Sequence, residues 1–191
     1  MRLKKETIKI KAKFEDELLD IVYDTIRIGK QALVFVNTKQ RAERTAELIA
    51  KNLKLKSEDY ELLAEQALNA LPRPTKQCEK LAYCLKSGIA FHHSGLVAKQ
   101  RHLIEENFRK GIVKVICCTQ TLAFGVDLPA FRVIVRDLKR YSARGMSWIP
   151  VLEVQQMFGR AGRPKYDNEG QAICFANSES EIRDLVEHFI L

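Results

Sequence analysis

Five short apolar runs, each followed by a stretch of helical character, constrain this chain more than anything else in it. They are Ala32 to Val36, Ile89 to Phe91, Val113 to Cys117, Phe131 to Val135 and Gln171 to Phe175. Runs this short, with little alternation of polar and apolar residues, fit strands buried on both faces. Helical spacing intervenes. Leu18, Leu19, Val22 and Ile26 recur on one face, with Gly29 where a helix C-cap belongs. Further helices are predicted over Ser57 to Leu71, stopped by Pro72 and Pro74, over Val97 to Lys110, stopped by Gly111, over Leu152 to Arg160, and over Glu179 to Ile190. Strands alternating with helices predict an α/β fold of three layers, a mainly parallel sheet between helices. Ligands of such sheets gather in loops beyond the carboxyl ends of the strands. That places weight on Asn37, on His92 to Gly95, on Thr119, and on the stretch after Val135.

A chain of 191 residues can build one substantial core. Its net charge of +8 and sequence pI of about 9.3 favour a polyanionic partner, although a uniformly basic surface gives the same total. The five cysteines form no C-x-x-C pair and the four histidines have no metal-ligand spacing. They read as packing residues of a protein in a reducing compartment, the cytoplasm, with no metal site. No apolar run is long enough to span a bilayer, so no membrane partner is expected.

Gln156-Met157-Phe158-Gly159-Arg160-Ala161-Gly162-Arg163-Pro164 carries the strongest chemical signal. Two arginines three apart share a helical face, and glycines beside them permit close backbone approach. The planar guanidinium suits a phosphoryl group, and two of them can neutralise charge developing on a transferring γ-phosphate. The competing reading is a solvated basic turn. Cys118 to Ala130 holds a second cluster. Thr119, just after a strand, can cap a helix or give its hydroxyl to a nucleic-acid phosphate. Asp127 is either a nucleotide-sensing carboxylate or a turn residue before Leu128-Pro129. Asn37, Thr38 and Lys39 follow a strand and can touch a sugar-phosphate backbone or simply turn and cap. Ser94 and the Gly95 backbone can hold a phosphate. His92 and His93 read as hydrogen-bonded structural residues, and Arg101 as a salt-bridge residue.

The block Q-M-F-G-R-A-G-R-P-K-Y-D resembles motif VI of the Ski2-like branch of superfamily 2 helicases. T-Q-T-L-A-F-G-V-D-L-P-A resembles motif V, L-V-F-V-N-T-K motif IV, and H-H-S-G with Arg101 and Gly111 motif IVa. The resemblance runs from about Ala32 to the end. It implies the second RecA-like domain of a helicase, with residues 1–13 as a lead-in and 54–80 as a helical insert. It implies that Gln156 meets the nucleotide's phosphates and that Arg160 and Arg163 meet the γ-phosphate, Arg163 as the arginine finger. Gly125 and Asp127 would sense nucleotide. Asn37, Thr38, Ser94, Gly95 and Thr119 would grip the nucleic-acid strand. Where DEAD-box relatives place glutamine three positions before Arg101, this chain has Ala98, and no contact carries over there.

Residues 136–150 join the two strongest motifs. Aromatic and basic residues flank an Ala143-Arg144-Gly145 turn, which suits a β-hairpin. Its position matches a hairpin that Ski2-like DNA helicases use to part a duplex. Tyr141, Met146 and Trp148 would stack at the fork and Arg144 would meet phosphate. The sequence lacks G-x-x-x-x-G-K-[ST], and no strand ends in an Asp-Glu box. The expectation is thus half of a 3′-5′ DNA helicase motor of the repair and fork-processing group. ATP and Mg²⁺ would be used by the full-length protein and neither would be bound by this chain alone. Its partners would be single-stranded and forked DNA and the first RecA-like domain of the same polypeptide. An RNA helicase half and a non-catalytic nucleic-acid-binding module remain open alternatives.

Overall fold

A computed structural model describes residues 8–142, 145–164 and 167–190. Its centre is a five-stranded sheet. The strands are β1 (Ala32–Phe35), β2 (Ile89–His92), β3 (Val115–Cys118), β4 (Arg132–Val135) and β7 (Gln171–Cys174). Their order is β2-β3-β1-β4-β7, and every neighbouring pair runs parallel. β1 lies in the middle because its residues, Ala-Leu-Val-Phe, have nothing polar to offer water. All four are buried, as are those of β2, β3 and β4. β7, at an edge, is only partly covered.

The helices are α1 (Glu17–Arg27), α2 (Lys39–Leu53), α3 (Glu58–Leu68), α4 (Lys76–Leu85), α5 (Ala98–Arg109), α6 (Thr121–Gly125), α7 (Val151–Phe158) and α8 (Glu179–Phe189). α2 lies against β2 and β3, α4 and α5 against β2, and α7 packs on β4 and α8. The local signals explain the ends. Asp16 accepts from the amides of Leu18 and Leu19 to start α1, and Gly29, at φ +73°, supplies the left-handed residue after it. α3 is shorter than predicted. It closes at Asn69, whose N–H donates to the Glu65 carbonyl, three residues before the first proline. Residues 8–13 form no strand, and Ile8 is exposed.

A two-stranded antiparallel hairpin, β5 (Lys139–Ser142) and β6 (Gly145–Trp148), stands apart from the main sheet. One residue inside a sheet strand defies its surroundings. Arg132 of β4 is a buried cation, and it is paired on all sides. It donates to Asp24, Thr25, the Ile21 carbonyl and Gln171. A buried charge persists only with such partners, and here they tie α1 to β4 and β7.

Candidate functional site

The two strongest sequence blocks meet along one seam. β3 leads into Thr119 and the short helix α6, and α7 leads into Gly159 and Arg160. Backbone bonds join them: Ala130 N–H donates to the Arg160 carbonyl at 2.9 Å, and Gly162 N–H to the Ala130 carbonyl at 2.7 Å. Gly162 has φ +91°, and a Cβ there would sit 3.3 Å from the Gly170 backbone, so both conformation and space call for glycine. Arg160 donates to the Asp127 carboxylate at 2.8 Å and to the Ala123 carbonyl. Asp127 is 90% exposed, and Gly125 and Gln156 are exposed as well. Gln156 lies one turn before Arg160.

Arg163 is more deeply engaged. Its Nε and Nη2 donate to the two Asp167 oxygens at 2.8 and 3.1 Å, and its Nη1 donates to Gln31 Oε1 at 2.8 Å. Lys30 Nζ donates to the same Asp167 carboxylate at 2.6 Å. The Arg163 guanidinium, with Lys30 beside it, holds the Asp167 carboxyl well below the usual carboxylate range.

At the carboxyl ends of the strands the predicted phosphate-gripping residues occupy adjoining loops. Thr119 is nearly buried, and its hydroxyl bonds that of Thr121 at 2.9 Å instead of capping α6. Thr38 does cap α2, its hydroxyl oxygen accepting from the Arg41 amide. Asn37 Nδ2 donates to the Lys139 carbonyl at 2.7 Å, which fastens the base of the hairpin. Ser94 is exposed. Gly95 departs from expectation: its N–H donates to His93 Nδ1 at 3.0 Å and so is already spent. Accepting at Nδ1 leaves the His93 proton on Nε2, which faces Glu43 Oε1 at 3.2 Å. Burial pushes the His93 pKa down, with Glu43 opposing. His92 similarly faces Glu105 at 2.8 Å. Arg101 donates to the Leu96 carbonyl and, among the described residues, to no carboxylate.

In the hairpin, Lys139 pairs with Trp148 and Tyr141 with Met146, so these four side chains share one face. Tyr141 is 84% and Met146 67% exposed. Trp148 is different. It packs on His188 and Phe189 of α8, with ring centroids 5.5 and 5.6 Å away, and Lys139 Nζ lies 4.2 Å from its ring. Trp148 is half-buried, so part of its apolar surface anchors the hairpin on α8, which sets it apart from the two exposed side chains. On the other face Arg140 pairs with Glu153 of α7 at 3.2 Å. Arg144 lies outside the described residues.

The geometry matches the sequence comparisons. The model of the helicase conserved C-terminal domain matches residues 65–165, more than half of the 191. The chain is also similar to proteins named ATP-dependent DNA helicase Hel308. It is 51% identical to that of Pyrococcus abyssi over 90% of this chain and 24% of the relative. Against the Pyrococcus horikoshii protein it is 49% identical over 90% and 24%, and against that of Methanocella arvoryzae 44% over 98% and 26%. The chain belongs to the helicase C-terminal domain family. It spans about a quarter of the length of these relatives.

Read as a helicase C-terminal domain of the Ski2-like kind, the chain carries its motif arginines on one seam and its strand-end loops on the carboxyl edge. Among the described residues no cluster of His, Cys, Asp or Glu can hold a metal ion, and no helix is long and apolar enough to cross a membrane. Gln31, Lys30, Asp167, Glu43 and Glu153 were not expected to matter. Only Asp167 carried a signal, standing four residues after Arg163 inside the motif block.

Proposed function

We propose that this domain is the second motor half of an ATP-dependent DNA helicase. The observation that carries the proposal is the seam itself. Arg160 and Asp127 are joined there, Gly125 and Gln156 lie exposed on the same two segments, and Arg163 follows three residues after Arg160, none of them in a phosphate-cradling loop of this chain. Such a seam is half of an ATP site. A first RecA-like domain of the same polypeptide supplies the other half, with the residues that hold Mg²⁺. Gln156 meets the nucleotide's phosphates, Gly125 and Asp127 sense the nucleotide, and Arg160 and Arg163 neutralise charge on the γ-phosphate as it transfers.

Single-stranded DNA runs over the carboxyl edge. Thr119 and Ser94 offer hydroxyls to its backbone there, Asn37 and Thr38 shape the loop beside them, and Gly95 holds its turn. Contacts of this kind carry little sequence information, so recognition follows charge and salt. The hairpin meets forked DNA through Tyr141 and Met146, with Arg144 on phosphate. The names of the relatives favour DNA over RNA, and translocation runs 3′ to 5′ as the Ski2-like resemblance implies. All five cysteines are free thiols, in keeping with the reducing cytoplasm.

The test is the ATPase of the purified 191-residue chain. It should show no turnover above background, with or without single-stranded DNA, while binding that DNA with an affinity that drops as salt rises. Stoichiometric, DNA-stimulated hydrolysis by this chain alone would sink the half-site reading.

A further inference from the structure

Around Arg163 lies a network that a motif arginine does not need merely to exist. Gln31, just before β1, is 4% exposed. Its Nε2 donates to the carbonyls of Phe108 and Val113, both at 2.7 Å. Carbonyls only accept, so the amide has a single sensible orientation and its Oε1 must face Arg163. Asp167 closes on the guanidinium from another side. Besides the two bonds to Nε and Nη2, its Oδ2 accepts the Arg163 backbone N–H at 3.1 Å. Its side chain is shielded from solvent, and Lys30 takes part of the remaining capacity. All three nitrogens of the planar group are thereby engaged, two by a carboxylate four residues on and one by an amide 132 residues earlier. Rotation about the last side-chain bonds is removed.

We propose that Asp167 and Gln31 are positioning residues that set the Arg163 guanidinium in its phosphate-facing orientation before nucleotide arrives. The proposal rests on the reading above that Arg163 serves the γ-phosphate. A cationic group aimed in advance need not reorganise as charge develops, and misplacement by about 1 Å can cost about 10²-fold in rate. Neither residue touches substrate. Each acts through Arg163, the carboxylate by a two-point grip on one edge of the fork and the amide by a single bond at Nη1.

The experiment uses the full-length helicase, with DNA-stimulated ATPase measured for Asp167→Asn, Gln31→Met, Arg163→Ala and the double variant Asp167→Asn with Arg163→Ala. Thermal unfolding is followed alongside. Asp167→Asn keeps the shape but turns an NH₂ toward Arg163 and Lys30. It should lower kcat by about 10²-fold with KM for ATP within about threefold, and add no further loss once Arg163 is gone. Gln31→Met removes the Nη1 acceptor independently and should lower kcat less, again at unchanged KM. It supplies the answer should Asp167→Asn unfold. A normal kcat in Asp167→Asn, or in Gln31→Met, beside a crippled Arg163→Ala overturns the proposal and leaves Arg163 in its role. So does an additive loss in the double variant. An active Arg163→Ala points elsewhere, because it removes the assigned role of Arg163 itself.

Discussion

Along the seam nearly every polar side chain meets another from the same domain, whereas at the hairpin tip Tyr141 and Met146 meet water. Arg160 lies on Asp127, Arg163 on Asp167 and Gln31, and the backbones of Ala130 and Gly162 are bonded across the joint. Near its base the hairpin is held by Trp148 against α8, Arg140 on Glu153 and Asn37 on the Lys139 carbonyl. The two regions therefore fail differently. A change in the seam propagates through a satisfied network, where removing one partner strands another. A change at Tyr141 or Met146 removes exposed surface and strands no partner that those two side chains bury.

The largest effect should come from Arg163→Ala, the assigned arginine finger, with Arg160→Ala close behind it in the full-length helicase. A phosphate-facing arginine supplied to a nucleotide held elsewhere contributes about 10³ or more in kcat. Arg160→Lys should rescue poorly, since an ammonium lacks the fork that spans Asp127 and the Ala123 carbonyl. Steady-state ATPase with saturating DNA reads this. Turnover kept in both Arg160 variants would make Arg160 a brace for the seam and nothing more.

A smaller effect, confined to one assay, should follow from shortening the hairpin to a two-residue turn. That deletes Tyr141 and Met146 from the fork and leaves the seam as it is. Unstacking a base step costs about a few kcal/mol, so losing an exposed stacking surface should slow strand release while DNA-stimulated ATPase persists. Equal loss of both activities would show that the link through Arg140 and Glu153 makes the hairpin part of the α7 support, and would collapse the contrast between the two regions.

That contrast also explains what could be read from the sequence. The strands were legible because burial on both faces leaves a continuous apolar run, and the hairpin strands β5 and β6 because aromatic and basic residues flank an Ala-Arg-Gly turn signal. The arginines of the seam were legible as a spacing. Their partners were not. Gln31 and Arg163 are 132 residues apart, and Arg132 and Asp24 are 108 apart. Nothing local in Ala-Phe-Arg-Val says that the arginine will be buried, and nothing in Lys-Gln-Ala says that the glutamine will orient a motif. The anchoring of Trp148 was missed for a related reason. Its place in the hairpin is local information, but the α8 surface that covers it arrives forty residues later, at His188 and Phe189.

Trp148 also allows the finest test of the comparison, within the hairpin itself. Tyr141 and Trp148 stand on the same face, one strand apart, yet one is 84% exposed and the other packs on two aromatic rings of α8. Trp148→Ala removes part of a large apolar contact and should destabilise the domain by about 1–3 kcal/mol, below the full cost of a deeply buried tryptophan. At this size that is a fall in Tm of roughly 2–4 °C per kcal/mol. Tyr141→Ala should stay within about 0.5 kcal/mol, as surface changes do. Thermal unfolding of the two variants of this chain decides it. Equal small shifts would mean that Trp148 is held no better than the tip and belongs to the same exposed working surface. Equal large shifts would mean that Tyr141 has a packing partner in solution. A loss for Trp148 alone fixes the boundary between anchor and working surface between positions 146 and 148, one side chain apart on the same face of β6.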